Sequence, residues 1–213
     1  MAADRGSRAQ DGGRARSGTP RVPSAGPPPD EASLHEAALN HLARFAATEA
    51  GLRRVLARRV DRWARRAEAE GESAERIAER TRAGKAAAAA VAKRMVTAGA
   101  VDDAAYAAAR AKRLNRAGRS RRAIAAHLTG KGVAMETARA ALPEAETDEI
   151  AAALALCRRR RIGPFARAAE DAEARRRALG VLARAGFARD AAETALAMTP
   201  EDAEARLIAH RRE

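Results

Sequence analysis

Two adjacent carboxylates, Asp102 and Asp103, are the first residues in this chain with reactive potential, since paired acids can pass a proton or hold a cation. Asp is also a favoured helix N-cap, and negative charge offsets the positive end of a helix dipole. Capping is therefore the leading reading of the pair, and contact with a basic partner groove is the sharper one. The four histidines, His35, His41, His127 and His210, stand apart, and the spacing of the first two is poor for a shared metal on a helix. Cys157 is the only cysteine, which excludes an internal disulfide, and its apolar surroundings suit packing better than nucleophilic attack. Lys85 precedes Ala86 and Lys131 precedes Gly132, so neither completes a phosphate-binding loop. The expectation is a protein with no catalytic, cofactor-binding or metal-ligating residues, and not an enzyme.

The basic residues carry more information. The chain of 213 residues has 41 Lys+Arg against 28 Asp+Glu, a formal net charge of +13, which attracts polyanions and speeds association with them. Only Lys85, Lys93, Lys112 and Lys131 are lysines. A GC-rich genome accounts for most of that arginine bias, but not for the excess of base over acid. Arg158 to Arg161 fall at a helix C-terminus, where cations interact favourably with the dipole. Arg119, Arg121 and Arg122 fall at a helix N-terminus, where folding does not ask for them. Arg110, Arg113 and Arg116 recur every third residue on the preceding helix and form a stripe. With Lys131, these residues are the candidate partner- or DNA-binding patch. Aromatics are 2% of the chain and scattered, which argues against recognition of single strands by base stacking.

Helices carry these residues. Ala makes up 62 residues, while β-branched and aromatic residues are scarce. Alanine buries little area, so a string of small helical units fits better than one large globule. Residues 1–31 hold five of the eight prolines and five arginines and read as a disordered basic tail. No proline lies between Asp30 and Leu142. Ser33 and Glu36 have the spacing of a capping box for a helix ending near Phe45, and Thr48 is placed to cap a second. Residues 60–84 are highly charged, with Trp63 and Ile77 as their large apolar anchors, and read as a helical insertion or extension before a helix from Lys85 to Ala98. Helices follow over 102–115, 120–130 and 135–142, then from about Thr147, over 171–185 and over 190–198, with a last charged helix or tail over 200–213.

Aligning Gly132 with Gly186 places Leu128 on Leu182, Ala141 on Ala195 and Leu142 on Leu196. Leu52 and Leu56 match Ile124 and Leu128 less completely, because Val60 stands where the turn glycine should be. The expected architecture is all-α: tandem three-helix repeats over 32–100, 101–145 and 146–199. The lone cysteine suits a reducing cytosol, and no apolar run approaches the roughly 20 residues that span a membrane.

Val101-Asp-Asp-x-x-Tyr-Ala107, followed by Arg122-x-Ile124-x-x-x-Leu128-x-x-Lys131-Gly132-Val133, resembles the RecX family of recombinase regulators. Leu52-Arg53-x-x-Leu56 resembles that family's first unit, and Arg158 to Phe165 with Leu182-x-x-x-Gly186-Phe187 its third. The resemblance covers about residues 34 to 198 and departs at 60–84 and in the tail. It marks Asp102, Asp103, Tyr106, Ile124, Leu128, Gly132, Gly186 and Phe187 as family-motif residues. It implies an elongated, curved module that binds RecA and the RecA–DNA filament; the protein is expected to be a monomer in the cytoplasm. There it would inhibit strand exchange, ATP hydrolysis and the coprotease activity of the SOS response, using no cofactor. Single- or double-stranded DNA is a further candidate partner. The alternative from charge alone is a basic architectural or transcriptional DNA-binding protein that acts without RecA.

Overall fold

The structure, a computed structural model, describes residues 24–142, 146–167 and 171–212. Among them all regular structure is helical: ten α-helices and one short 3-10 turn. The first unit comprises α1 (Glu31–Leu42), α2 (Glu49–Ala69) and α3 (Ala74–Thr97); the second comprises α4 (Asp103–Arg116), α5 (Arg121–Gly130) and α6 (Met135–Ala140). The third comprises α7 (Glu146–Arg160), α8 (Ala172–Arg184) and α9 (Arg189–Ala197), with the 3-10 turn at Gly163–Phe165 and a closing helix α10 (Pro200–Arg212). The tail expected over 1–31 lies outside the described residues up to position 23. Beyond it the chain is tied to α2 by two hydrogen bonds: the Trp63 indole N–H donates to the Gly26 carbonyl (3.1 Å), and the Ala25 N–H to Glu70 (2.7 Å).

Helix starts follow local chemistry. Thr48, Asp102, Ser120 and Asp171 each accept a backbone N–H from the first turn of the helix they precede. The expected capping box at Ser33 is corrected: Asp30 is the cap and Ser33 supplies the N–H, so α1 begins at Glu31. Of the two readings of the charged segment 60–84, it is an extension of the first unit's helices and not a separate insertion. α2 runs through it to Ala69, and α3 starts at Ala74 and continues past Lys85, so the two form one long antiparallel pair. Leu52, Leu56, Val60, Trp63 and Ala67 recur every three or four residues along α2 and make one buried stripe. Gly84 faces Val60, where a methyl group would come within 2.9 Å of Val60 Cγ1. That missing methyl lets the helices approach closely beside the valine that replaces a turn.

Each unit has its own core. The second is the smallest, with only Ile124, Leu128 and Val133 as large buried side chains beside Ala107, Ala111 and Ala138. At about 1.5–3 kcal/mol per fully buried large apolar side chain, three of them hardly offset the ordering of some forty residues. The unit therefore depends on its neighbours, as repeats do. The third core takes in Ile150, Leu154, Cys157, Leu182 and Phe187, and α10 adds Ala203 and Leu207 to it. No helix of the described residues is long and apolar enough to cross a membrane.

Candidate partner-binding surface

The units are joined by one motif used twice. At the first joint the Thr48 hydroxyl accepts the Gly51 N–H (2.9 Å) and donates to the Lys131 carbonyl (2.8 Å), at the end of α5. The next N–H, of Glu49, donates to Asp103 Oδ1 at the start of α4 (2.8 Å). At the second joint the Ser120 hydroxyl accepts the Ala123 N–H (3.2 Å) and donates to the Ala185 carbonyl (2.7 Å), at the end of α8. The next N–H, of Arg121, donates to Glu149 Oε2 near the start of α7 (3.0 Å). Each cap thus satisfies its own helix and a carbonyl of the next unit, and an acid of that unit takes a further orphan N–H.

Gly132 and Gly186 sit at the same place in the two joints. Both have positive φ (91° and 86°). A methyl group on Gly132 would overlap Ala50 Cβ, and one on Gly186 would lie 2.9 Å from Ser120 Oγ. Asp102 caps α4 through Ala104 and Ala105, while Asp103 caps α2 of the preceding unit, so both acids are used in building the joint. Burial raises the pKa of Glu149, against the opposing pull of the Arg121 N–H and guanidinium, with Asp190 adding to the rise.

The basic residues fall into two clefts at these joints. Arg110 and Arg113 line a cleft of about 840 Å³ between the first and second units, together with Arg44, Phe45 and Tyr106. Arg119 lines a cleft of about 560 Å³ between the second and third units, together with Arg159, Arg160 and Arg184. Arg159 also donates to the Ala117 carbonyl at the end of α4 (2.5 Å), and Arg158 pairs with Glu204 on α10 (3.4 Å). The run at the end of α7 therefore serves the joint and the closing helix as well as the dipole.

Arg110 Nε donates to His127 Nε2 (3.2 Å). Burial and the charges of Arg110, Lys131 and Arg119 hold the His127 pKa below its usual value, so three of the candidate cations converge on one neutral ring. Arg116 is exposed at the end of α4. Arg121 is half-buried with its charge near Glu149, and the Arg122 stem packs beside Gly186. Arg121 thus has a partner in the joint that its helix-start position did not suggest. Tyr106 is half-buried between the cleft and the second core, Ile124 and Leu128 are fully buried, and Phe187 is nearly so.

A further basic face lies where the sequence suggested an insertion or extension. The exposed arginines Arg58, Arg59, Arg62, Arg65 and Arg66 lie along one side of the buried stripe of α2. None of these side chains has a hydrogen-bond or ion-pair partner among the described residues. The signal was present in the sequence: at 100° per residue these five fall within about a third of a turn.

Joints of this kind, cores this small and arginines at the seams define a protein built from tandem three-helix repeats. Residues 102–142 match the family model of the second three-helix domain of RecX. The chain is 36% identical over 105 residues to the regulatory protein RecX of Agrobacterium fabrum, covering 49% of this chain and 56% of that protein. It is 39% identical over 134 residues to the regulatory protein RecX of Myxococcus xanthus, covering 62% and 66%. The chain belongs to the RecX family. The matched part spans less than two thirds of either relative.

Proposed function

We propose that this protein binds RecA and the RecA–DNA filament and restrains recombinase, ATPase and coprotease activity. It would act in the cytoplasm as a monomer, without chemistry of its own. The observation that carries this reading is the pair of arginine-lined clefts at successive joints. A partner that is itself a helical polymer offers acidic features at regular intervals, and a repeated module can engage neighbouring subunits in register. Bridging adjacent subunits would block the filament groove to incoming duplex. Arg110, Arg113, Arg116, Arg119, Arg121, Arg122 and Lys131 are the proposed contacts.

The test is the single-strand-dependent ATPase of RecA with substoichiometric amounts of this protein. Suppression well below one molecule per RecA protomer is the expected result. An unchanged rate, alongside tight and salt-sensitive DNA binding by the protein alone, would replace this reading with that of a DNA-binding protein acting without RecA.

A further inference from the structure

Three adjoining hollows run across the first unit into the second. One of about 250 Å³ is lined by Arg59, Arg62, Arg66 and Trp63, with Pro27 and Pro29 at its edge. The next, of about 390 Å³, shares Arg59 and Arg62 and adds His41, Arg44 and Phe45. The third, the 840 Å³ cleft at the first joint, shares Arg44 and Phe45 and adds Tyr106, Arg110 and Arg113. Because each shares two residues with the next, they form one groove. Among the described residues six arginines line it and Asp102 is its only acid, already engaged as a helix cap. The side chains of Arg44, Arg59, Arg62, Arg66 and Arg113 have no hydrogen-bond or ion-pair partner among the described residues.

Phe45 stands midway along this groove, and it is 60% exposed, the most exposed large apolar side chain described. Its ring rests against His41 (centroids 5.4 Å apart, planes at 39°), which braces it. A braced, exposed ring flanked by unpaired guanidinium groups is the arrangement that holds an unpaired base by stacking and its neighbouring phosphates by charge. A duplex keeps its bases stacked internally and offers none to such a ring. An acidic peptide would use the arginines but has no need of the aromatic.

We propose that this groove is a binding site for single-stranded nucleic acid, with Phe45 as the stacking platform and Arg44, Arg59, Arg62, Arg66, Arg110 and Arg113 tracking the backbone. Composition argued against stacking because aromatics are few, but one ring suffices when the fold places it between two basic clefts. The inference does not rest on the RecA reading, and its test contains no RecA.

The experiment is fluorescence anisotropy of labelled oligothymidylate and oligouridylate with the full chain. A duplex of equal length and polyglutamate serve as competitors. Phe45→Ala should weaken single-strand binding on the order of tenfold, the usual loss of one stacked base. Phe45→Trp should restore it, since indole offers a larger stacking face. The double variant Arg59→Glu with Arg62→Glu should weaken binding further and flatten its salt dependence, by about 0.7 in log–log slope for each phosphate that no longer meets an arginine. Arg176→Glu, on the exposed face of α8, should change binding little. Circular dichroism checks that each variant folds. Single-strand binding unmoved by Phe45→Ala would overturn the proposal, as would equal sensitivity of duplex binding to that change. More effective competition by polyglutamate than by oligothymidylate would make the groove a site for acidic protein instead. Different affinities for the two oligonucleotides would show whether DNA or RNA is preferred.

Discussion

Removing the cap hydroxyl should cost more at the second joint than at the first, although the two joints share one design. Ser120 is fully buried, caps α5 and donates to the Ala185 carbonyl at 2.7 Å. Ser120→Ala removes a cap, at about 1 kcal/mol, and deprives a carbonyl inside the joint of its donor, at about 1–3 kcal/mol. The expected loss is on the order of 3 kcal/mol. Thr48→Val removes the equivalent hydroxyl, but the Lys131 carbonyl keeps a second donor, Arg54 Nη2, at 2.8 Å. Only the cap is lost there, at about 1 kcal/mol. Urea unfolding followed by circular dichroism reads the difference. With a slope near 2 kcal/mol per molar, the midpoints of the two variants should differ by about 1 M. Adding Arg54→Ala to Thr48→Val should bring the first joint close to the loss at the second. Equal midpoints for the two single variants, or no further loss on adding Arg54→Ala, would sink this account of the joints.

Gly132→Ala should cost at least about 2 kcal/mol in the same assay, because the left-handed φ alone costs 1–2 and the new methyl must displace Ala50. Gly99→Ala is its control: φ is +71° but nothing lies within 4 Å, so it should pay the conformational term alone. Glu149→Gln should be neutral or mildly stabilising at neutral pH, because it keeps an acceptor for the Arg121 N–H and removes a buried charge. Glu149→Leu should cost about 1–3 kcal/mol, since that N–H loses its partner; thermal unfolding of both variants checks this. The His127 pKa is lowered on folding from a usual value of 6.5. Its contribution to stability is therefore full above pH 6.5 and is lost as pH falls through the folded-state value. NMR titration should show His127 rising in pKa when a polyanion binds, because the bound charge offsets Arg110, Lys131 and Arg119. Arg110→Ala should raise it only in part, since burial is the larger cause; no movement in either case would separate the ring from the basic surface.

Much of the fold was legible because its determinants are local. A cap joins residues two or three apart, so Thr48, Asp102, Ser120 and Asp171 could be read from their neighbours. A left-handed turn needs glycine wherever it occurs, so Gly99, Gly132 and Gly186 announced helix ends. Ser33 misled because Asp30, three residues earlier, offers the same chemistry with a charge. The segment 60–84 left insertion and extension both open because its charge hid the spacing of Val60, Trp63 and Ala67, which continues the stripe begun by Leu52 and Leu56.

Residue type and short-range spacing were enough to set the helices, their caps, the repeat and the sign of the surface. Which acids and carbonyls meet across the joints was settled by packing, because Asp103 and Glu49, or Ser120 and Ala185, lie 54 and 65 residues apart. Packing also settled where the arginines gather. A cation becomes part of a cleft only when a second element closes the other side, and Phe45 becomes a platform only because the folded chain leaves it exposed between two of them.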